Sequence, residues 1–145
     1  MGVQMVYVDT SVLVALLTNE ETANRIAQWY ADETRPLVSG DWCMTEFASA
    51  LALKERTGQL TRKQCNAAWK LFTEFCGGSL RLLPLDREVY VHAAQLVRGS
   101  KNGLRAGDAL HLALALHVKT EGFFTLDVRL GASAHQCKLA SVELP

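Results

Sequence analysis

No run in this 145-residue sequence approaches the ~18 consecutive apolar residues of a membrane-spanning helix, and neither end carries a secretory pattern. A soluble, cytoplasmic protein without membrane attachment is expected. Gly2 offers no lipid anchor either, because the myristoylation pattern wants Ser or Thr at position six and Val6 stands there. Cysteine is sparse. Cys43, Cys65, Cys76 and Cys137 are widely spaced, with no C-x-x-C pair and no histidine at zinc-finger spacing, which leaves buried reduced thiols as the expected state. Surplus charge is missing as well: fifteen Lys and Arg balance fifteen Asp and Glu, which argues against a protein that grips nucleic acid with its whole surface. Only local runs are basic, one from Lys54 through Arg56, Arg62 and Lys63 to Lys70 and a shorter one at Arg98, Lys101 and Arg105. Repeats, linkers and low-complexity segments are also absent.

What is present is a chain with 49% hydrophobic residues, enough to bury one sizeable core without a second domain. The stretch 5-MVYVDTSVLVALL-17 begins as a buried strand, stops at Asp9, and continues as a helix through Leu17. Helical spacing returns at 21–33, with Pro36 ending that excursion, and 37-LVS-39 reads as a second strand. A helix over 41–58 is expected, with Asp41 as cap and Gly58 as stop. Thr61 caps the next, over 62–76, which places Ala68, Leu71, Phe72 and Phe75 on one side and ends at Gly77-Gly78. The run 80–85 reads as a third strand, Asp86 caps a helix over 87–98 with its stop at Gly99, and 106–120 is the strongest helix by propensity, closed by Gly122. The run 123-FFTL-126 then gives a buried strand, Asp127 a turn, and 138–144 an edge strand. Strands alternating with helices, mostly two between successive strands, predict a parallel α/β/α sandwich with about four to five strands.

Four acids sit where solvated surface residues would not be expected. Asp9 and Asp127 each follow a strand, and ligands of open parallel sheets bind outside the strands' carboxyl ends, so the two share a rim. Asp9 also stands with Thr10 and Ser11 as three successive candidate helix caps where one suffices. Asp108 lies in the first turn of the Ala/Leu-rich helix, a place that the helix dipole alone favours by roughly 0.3–1 kcal/mol. Glu46 is set between Met44 and Phe47, with Ala50 and Leu53 on its own helical face.

Together VDTSVLVALL at 8–17, TEFASALA at 45–52, AGDALHLALA at 106–115 and TLDVRL at 125–130 resemble the PIN-domain ribonucleases, above all the VapC toxins of bacterial and archaeal toxin–antitoxin pairs. The resemblance runs over essentially the full chain and implies a single PIN domain over 1–145. It makes Asp9, Glu46, Asp108 and Asp127 an acidic quartet that holds metal and performs catalysis, with Ser11 and Thr125 as small polar supports. It also implies a homodimer silenced by a small VapB-like antitoxin. The segment 131–145 carries few features of the family.

Carboxylates about 4 Å apart repel by about 4 kcal/mol at an effective dielectric of 20, and a divalent cation removes that conflict. Oxygen-only ligands select Mg²⁺ or Mn²⁺ over zinc. Such an ion lowers the pKa of bound water and stabilises charge on a phosphate undergoing in-line displacement, which points to phosphodiester hydrolysis, of RNA as the resemblance implies. Arg105, just ahead of Asp108, is the candidate to meet substrate phosphate. His111 lies one turn after Asp108 without an obvious second imidazole partner and reads as a packed or hydrogen-bonded helix residue. Two other functions compete: a non-catalytic PIN-type module binding RNA or protein, and a phosphatase whose D-x-D-x-[TV] pattern this chain lacks, having D-T-S-V-L. Trp29, Tyr30, Trp69 and Phe72 are the aromatics expected to contribute to a partner surface.

Overall fold

The computed structural model describes residues 4–145, so that Gly2 lies outside the described residues. The chain runs β1 (Val6–Val8), α1 (Thr10–Leu17), α2 (Ala23–Asp32), β2 (Leu37–Gly40), α3 (Trp42–Arg56), α4 (Arg62–Gly78), β3 (Leu80–Leu83), α5 (Arg87–Gly99), α6 (Ala106–His117), β4 (Gly122–Phe124), α7 (Val128–Gln136) and β5 (Ala140–Ser141). The five strands form one sheet in the order β3-β2-β1-β4-β5, and every pairing is parallel. The expected sandwich is therefore present, with two helices in each of the first three crossovers and one in the last.

Burial on both faces explains why β1 and β2 read as continuous apolar runs rather than alternating ones. Side chains nevertheless alternate between faces, as the strand's period of two requires. Val6, Val8, Leu37 and Phe124 join Val12, Leu13, Ile26, Phe47 and Phe72 of α1 to α4 on one side. Tyr7, Val38 and Phe123 join Val89, Ala93, Leu112, Leu130 and Ala134 of α5 to α7 on the other. Tyr7 and Phe123 stack at 5.3 Å and 4° across the β1–β4 pair, a contact worth about 0.5–1.5 kcal/mol beyond the area it buries.

The order of strands fixes where a ligand can reach the sheet. From β1 the chain builds outward through β2 and β3, then returns to add β4 on the other side of β1. The crevice at the carboxyl ends of β1 and β4 is thus the topological switch point, the usual place for ligands in such sheets. Among the described residues no helix is long and apolar enough to cross a membrane.

Several local expectations are corrected. Asp41 precedes α3 in a helical conformation and makes no capping hydrogen bond through its side chain. Gly77 and Gly78 do not break α4, which runs through both. Gly122 does not close α6 but opens β4; the helix ends at His117, and the left-handed residue beyond it is Lys119, at φ 56°. A nine-residue helix, α7, occupies 128–136, where only a turn was expected. The edge strand shrinks to two residues. Thr61 and Asp86 cap as expected, the former in a reciprocal box with Gln64. Phe72 is 1% exposed and stacks on Phe47 in the core, while Trp29 and Trp69 pack their rings on Phe124 and Phe72. Among the described residues the large apolar side chains left exposed are instead Met44, Leu53, Leu71, Tyr90, Val91, Val97 and Val128.

Candidate active site

Asp9 is the first residue after β1 and sits at the cap of α1, 3% exposed. One oxygen, Oδ1, accepts from the backbone N–H and the hydroxyl of Ser11 at 3.1 and 2.5 Å, and Oδ2 accepts from the Thr125 hydroxyl at 2.9 Å. The Ser11 hydroxyl in turn accepts from the Leu126 N–H, and that of Thr125 from the Asp127 N–H, both at 3.0 Å. These bonds lace the end of β1 to the end of β4. Asp9 does cap the helix, then, and it does so while turned into the switch-point crevice. Its two hydroxyl neighbours hold the carboxylate rather than compete for the cap.

Thr10 has a different task. Its hydroxyl donates to Glu46 Oε1 at 2.6 Å, across from the middle of α3. The same Glu46 oxygen meets Nε2 of His111, a residue of α6 that is 1% exposed. The core face of α3 is Cys43, Phe47 and Leu51, so Glu46 does not sit on an apolar buried stripe. Ala50 and Leu53, its neighbours on the helix, line open crevices with it.

Asp108 projects from the first turn of α6 and Asp127 caps α7, where its Oδ1 accepts from the Leu130 N–H at 3.0 Å. Between them stands Arg105, with a guanidinium nitrogen 3.6 Å from Asp108 Oδ2 and 3.6 Å from Asp127 Oδ2. The result is one open pocket of about 430 Å³ lined by Asp9, Ser11, Glu46, Arg105, Asp108 and Asp127, together with Thr10, Val14, Glu20, Ala50 and Leu126. Six of the seven residues singled out in the sequence thus meet in one space, and Thr125 supports it from behind through Asp9. Glu20 was not anticipated; its carboxylate is 3.8 Å from the Lys54 ammonium. A second crevice of about 490 Å³ shares Glu46, Arg105 and Asp108 and continues along α3 past Trp42, Thr45 and Ser49.

Burial first, and crowding of like charges second, raise the proton affinities of Asp9 and Asp108. Burial pushes Asp9 up to about 6, with a further upward push from Asp108, against the pull of His111, Ser11 and Thr125. Asp108 is raised by burial and by Asp127 and Glu46, partly offset by Arg105. Glu46 goes the other way: burial would raise it, but the bonds from His111 and Thr10, with a weaker pull from Trp42, hold it below the ordinary carboxylate range. The Trp42 indole N–H is itself buried without a hydrogen-bond partner.

Two residues outside the predicted set shape this corner: His111, packed and hydrogen-bonded as the sequence suggested, and Gly107, which the sequence reading did not single out. His111 fixes Glu46, and Gly107 makes room for it, since a Cβ there would stand 2.9 Å from Glu46 Oε2 and 3.0 Å from the Trp42 indole nitrogen. The only sequence signals were the placement of both on α6 one position before and three after Asp108.

Only oxygen donors face the pocket, with no cysteine or histidine among its lining residues. That set suits a hard divalent cation and not zinc. Among the described residues no three His, Cys, Asp or Glu side chains stand in an arrangement that could hold a metal ion as it is.

A family model described as PIN domain matches residues 6–135. Solved structures with the same fold include the Mycobacterium tuberculosis toxin VapC20, a sarcin-ricin loop cleaving toxin, at TM-score 0.70 and 17% identity over 88% of this chain and 94% of that one. VapBC2 from Rickettsia felis, bound to a DNA fragment from its promoter, aligns at TM-score 0.66 and 10% identity over 98% and 100%. FitAcB from Neisseria gonorrhoeae aligns at 0.65 and 20% over 96% and 97%. At these identities the likeness is one of fold. Among curated proteins, none matches the sequence.

Proposed function

We propose, taking as premise that this chain belongs to the PIN-domain family, that it is a Mg²⁺- or Mn²⁺-dependent endoribonuclease and the toxin of a toxin–antitoxin pair. Residues 1–145 make up a single PIN domain in this reading, working in the cytoplasm. The observation that supports it most is the pocket at the switch point of the sheet, to which α1, α3, α6 and α7 each bring a carboxylate.

In this reading Asp9, Glu46 and Asp108 hold the metal and Asp127 completes a shared or second position. Bound there, a divalent ion supplies Lewis-acid stabilisation of phosphate charge and a water of lowered pKa. The chain's own residues do the rest. Ser11 and Thr125 fix the Asp9 carboxylate, so that its orientation is not re-made at each turnover. Arg105, whose side chain is 76% exposed at the pocket's mouth, leaves Asp108 and Asp127 to pair with a backbone phosphate of the RNA, the kind of bidentate partner a guanidinium prefers. No side chain in the pocket needs to act as a histidine base.

Partners follow from the same premise. An antitoxin is proposed because structures of the same fold include VapBC and FitAB complexes, and a homodimer because Tyr90, Val91 and Val97 of α5 are large apolar side chains left exposed. The deciding experiment incubates the purified chain with a mixed RNA pool in Mg²⁺ and in chelator, beside Asp108→Asn. Cleavage that requires the metal and is lost in the folded variant is expected. Cleavage that survives chelator or Asp108→Asn would remove the metal-nuclease reading, and RNA retained uncut in Mg²⁺ would favour a non-catalytic module.

A further inference from the structure

A buried chain of hydrogen bonds runs behind the pocket, and the mechanism above does not use it. The Tyr7 hydroxyl, from the middle of β1, lies 2.6 Å from His111 Nδ1. His111 Nε2 meets Glu46 Oε1 and lies 3.2 Å from the Thr10 hydroxyl. Tyr7 is fully buried and His111 is 1% exposed, so neither ring has water as an alternative partner.

The directions of these bonds are set by what each atom can do. The Thr10 hydroxyl gives its one proton to Glu46 Oε1, and the carboxylate is an acceptor only. Facing those two oxygens, Nε2 must carry the hydrogen. That holds whether His111 is neutral, with Nδ1 accepting from the Tyr7 hydroxyl, or charged, with Nδ1 donating to it. In either state the imidazole donates to Glu46. The edge-on packing of the ring against Tyr7, at 5.6 Å and 71°, keeps it from rotating away.

We infer that His111, braced by Tyr7, is a positioning residue for Glu46: it holds the Oε1 oxygen against Thr10 and leaves Oε2, beside Gly107, free of that bond. The inference rests on Glu46 being a metal-holding residue, as proposed above. Outer hydrogen-bond partners of metal-holding groups typically matter about 10–100-fold in metal affinity. His111 itself stays off the metal, because the ring nitrogen that could reach the pocket is occupied by Glu46.

The test is Mn²⁺ affinity by calorimetry on the folded protein, with no need of RNA. His111→Gln places an amide nitrogen near the position of Nε2, whereas His111→Asn reaches only as far as Nδ1. Both bury a neutral amide, so a merely structural role would treat them alike. His111→Gln is expected to bind Mn²⁺ within about threefold of wild type, and His111→Asn at least tenfold more weakly. Equal affinity for the two variants overturns the inference. Glu46→Gln serves as the reference: wild-type Mn²⁺ affinity there would overturn the metal role of Glu46 and the positioning role with it, whereas a loss there alongside equal His111 variants sinks only the latter. Tyr7→Phe covers the case in which neither His111 variant folds, since it removes one hydroxyl and keeps the ring. Binding weakened threefold or more is expected, and wild-type affinity would overturn the proposal.

Discussion

Asp9→Asn should make the metal-free protein more stable at neutral pH even as it removes the charge the site is built around. The carboxyl of Asp9 rises from 3.8 to about 6 on folding, first because it is buried. One unit of pKa is worth about 1.4 kcal/mol, so the ionised form costs the fold on the order of 3 kcal/mol, and at 3% exposure solvent screening takes little from that. An asparagine resembles the protonated acid. Its amide oxygen can keep the bonds from Ser11, but its amide hydrogen must face the Thr125 hydroxyl, which would have to accept rather than donate, at a cost of about 1 kcal/mol. A net gain of about 2 kcal/mol remains, roughly 5–8 °C in melting temperature for a chain of this size. The pH dependence has a definite sign. A carboxyl raised in the folded state leaves stability intact below the unfolded value near 3.9, loses it as pH climbs to about 6, and keeps the full penalty above. Thermal melts of wild type and Asp9→Asn in chelator, from pH 7.5 down to pH 4, should show the variant ahead at the top of the range and level with or slightly below wild type at the bottom, where the anion's penalty is gone and only the amide's mismatch with Thr125 remains. Mn²⁺ should then raise wild type, by roughly 2.7 kcal/mol at a hundredfold excess over its dissociation constant, and leave Asp9→Asn nearly unmoved. A variant that melts below wild type at pH 7.5, or a gap that ignores pH, would refute the account of Asp9 as a strained anion and return it to the role of helix cap.

Three other substitutions probe the site. Asp108→Asn should raise the melting temperature in chelator, because the carboxyl is held up by burial and by Asp127 and Glu46, while metal-dependent RNA cleavage falls to background; a wild-type rate in a purified, folded variant contradicts the assignment. Gly107→Ala should melt below wild type and lose most activity, because the added methyl displaces Glu46 Oε2 at 2.9 Å from its bonded position and presses on the buried Trp42 indole nitrogen at 3.0 Å; undiminished cleavage would show that Glu46 tolerates the shift. Arg105→Ala should bind Mn²⁺ more tightly by a few-fold, having lost the exposed cation that competes for Asp108 and Asp127, and show a raised KM for RNA; unchanged values of both would remove Arg105 from the site.

The acids that could be read from the sequence were those whose placement is local. Asp9 and Asp127 stand at the ends of apolar strand-like runs, and a parallel sheet sends such ends to one rim. Glu46 was reached through the TEFASALA stretch; the apolar helical face that also drew attention to it is not a buried one, since Ala50 and Leu53 line open space and the buried stripe of α3 is Cys43, Phe47 and Leu51. His111 could not be recognised as its partner, because the three groups that define its role lie 65, 101 and 104 residues away. Helix α7 was hidden by Gly131, Ser133 and His135, weak helix formers that are kept helical by burying Leu130 and Ala134 against the sheet. The ends of α4 and α6 also differ from the glycine signals: α4 runs on through Gly77 and Gly78, and α6 ends at His117, with the left-handed turn beyond it made by Lys119 rather than a glycine.

The lacing of β1 to β4 has a consequence for the order of events at the ribosome. Asp9 is held by Thr125, 116 residues further on, and β1 lies in the centre of the sheet with one side open until β4 pairs with it. At about 5–20 residues per second, roughly 6–24 s separate the synthesis of Asp9 from that of Asp127. During that interval the nascent chain adds β2 and β3 to β1 but has no crevice between β1 and β4 in which the carboxylates can meet. A message cut short ahead of residue 122 therefore yields a fragment with a partly built sheet and no pocket, and the chain acquires its site only with the last sixth of its length.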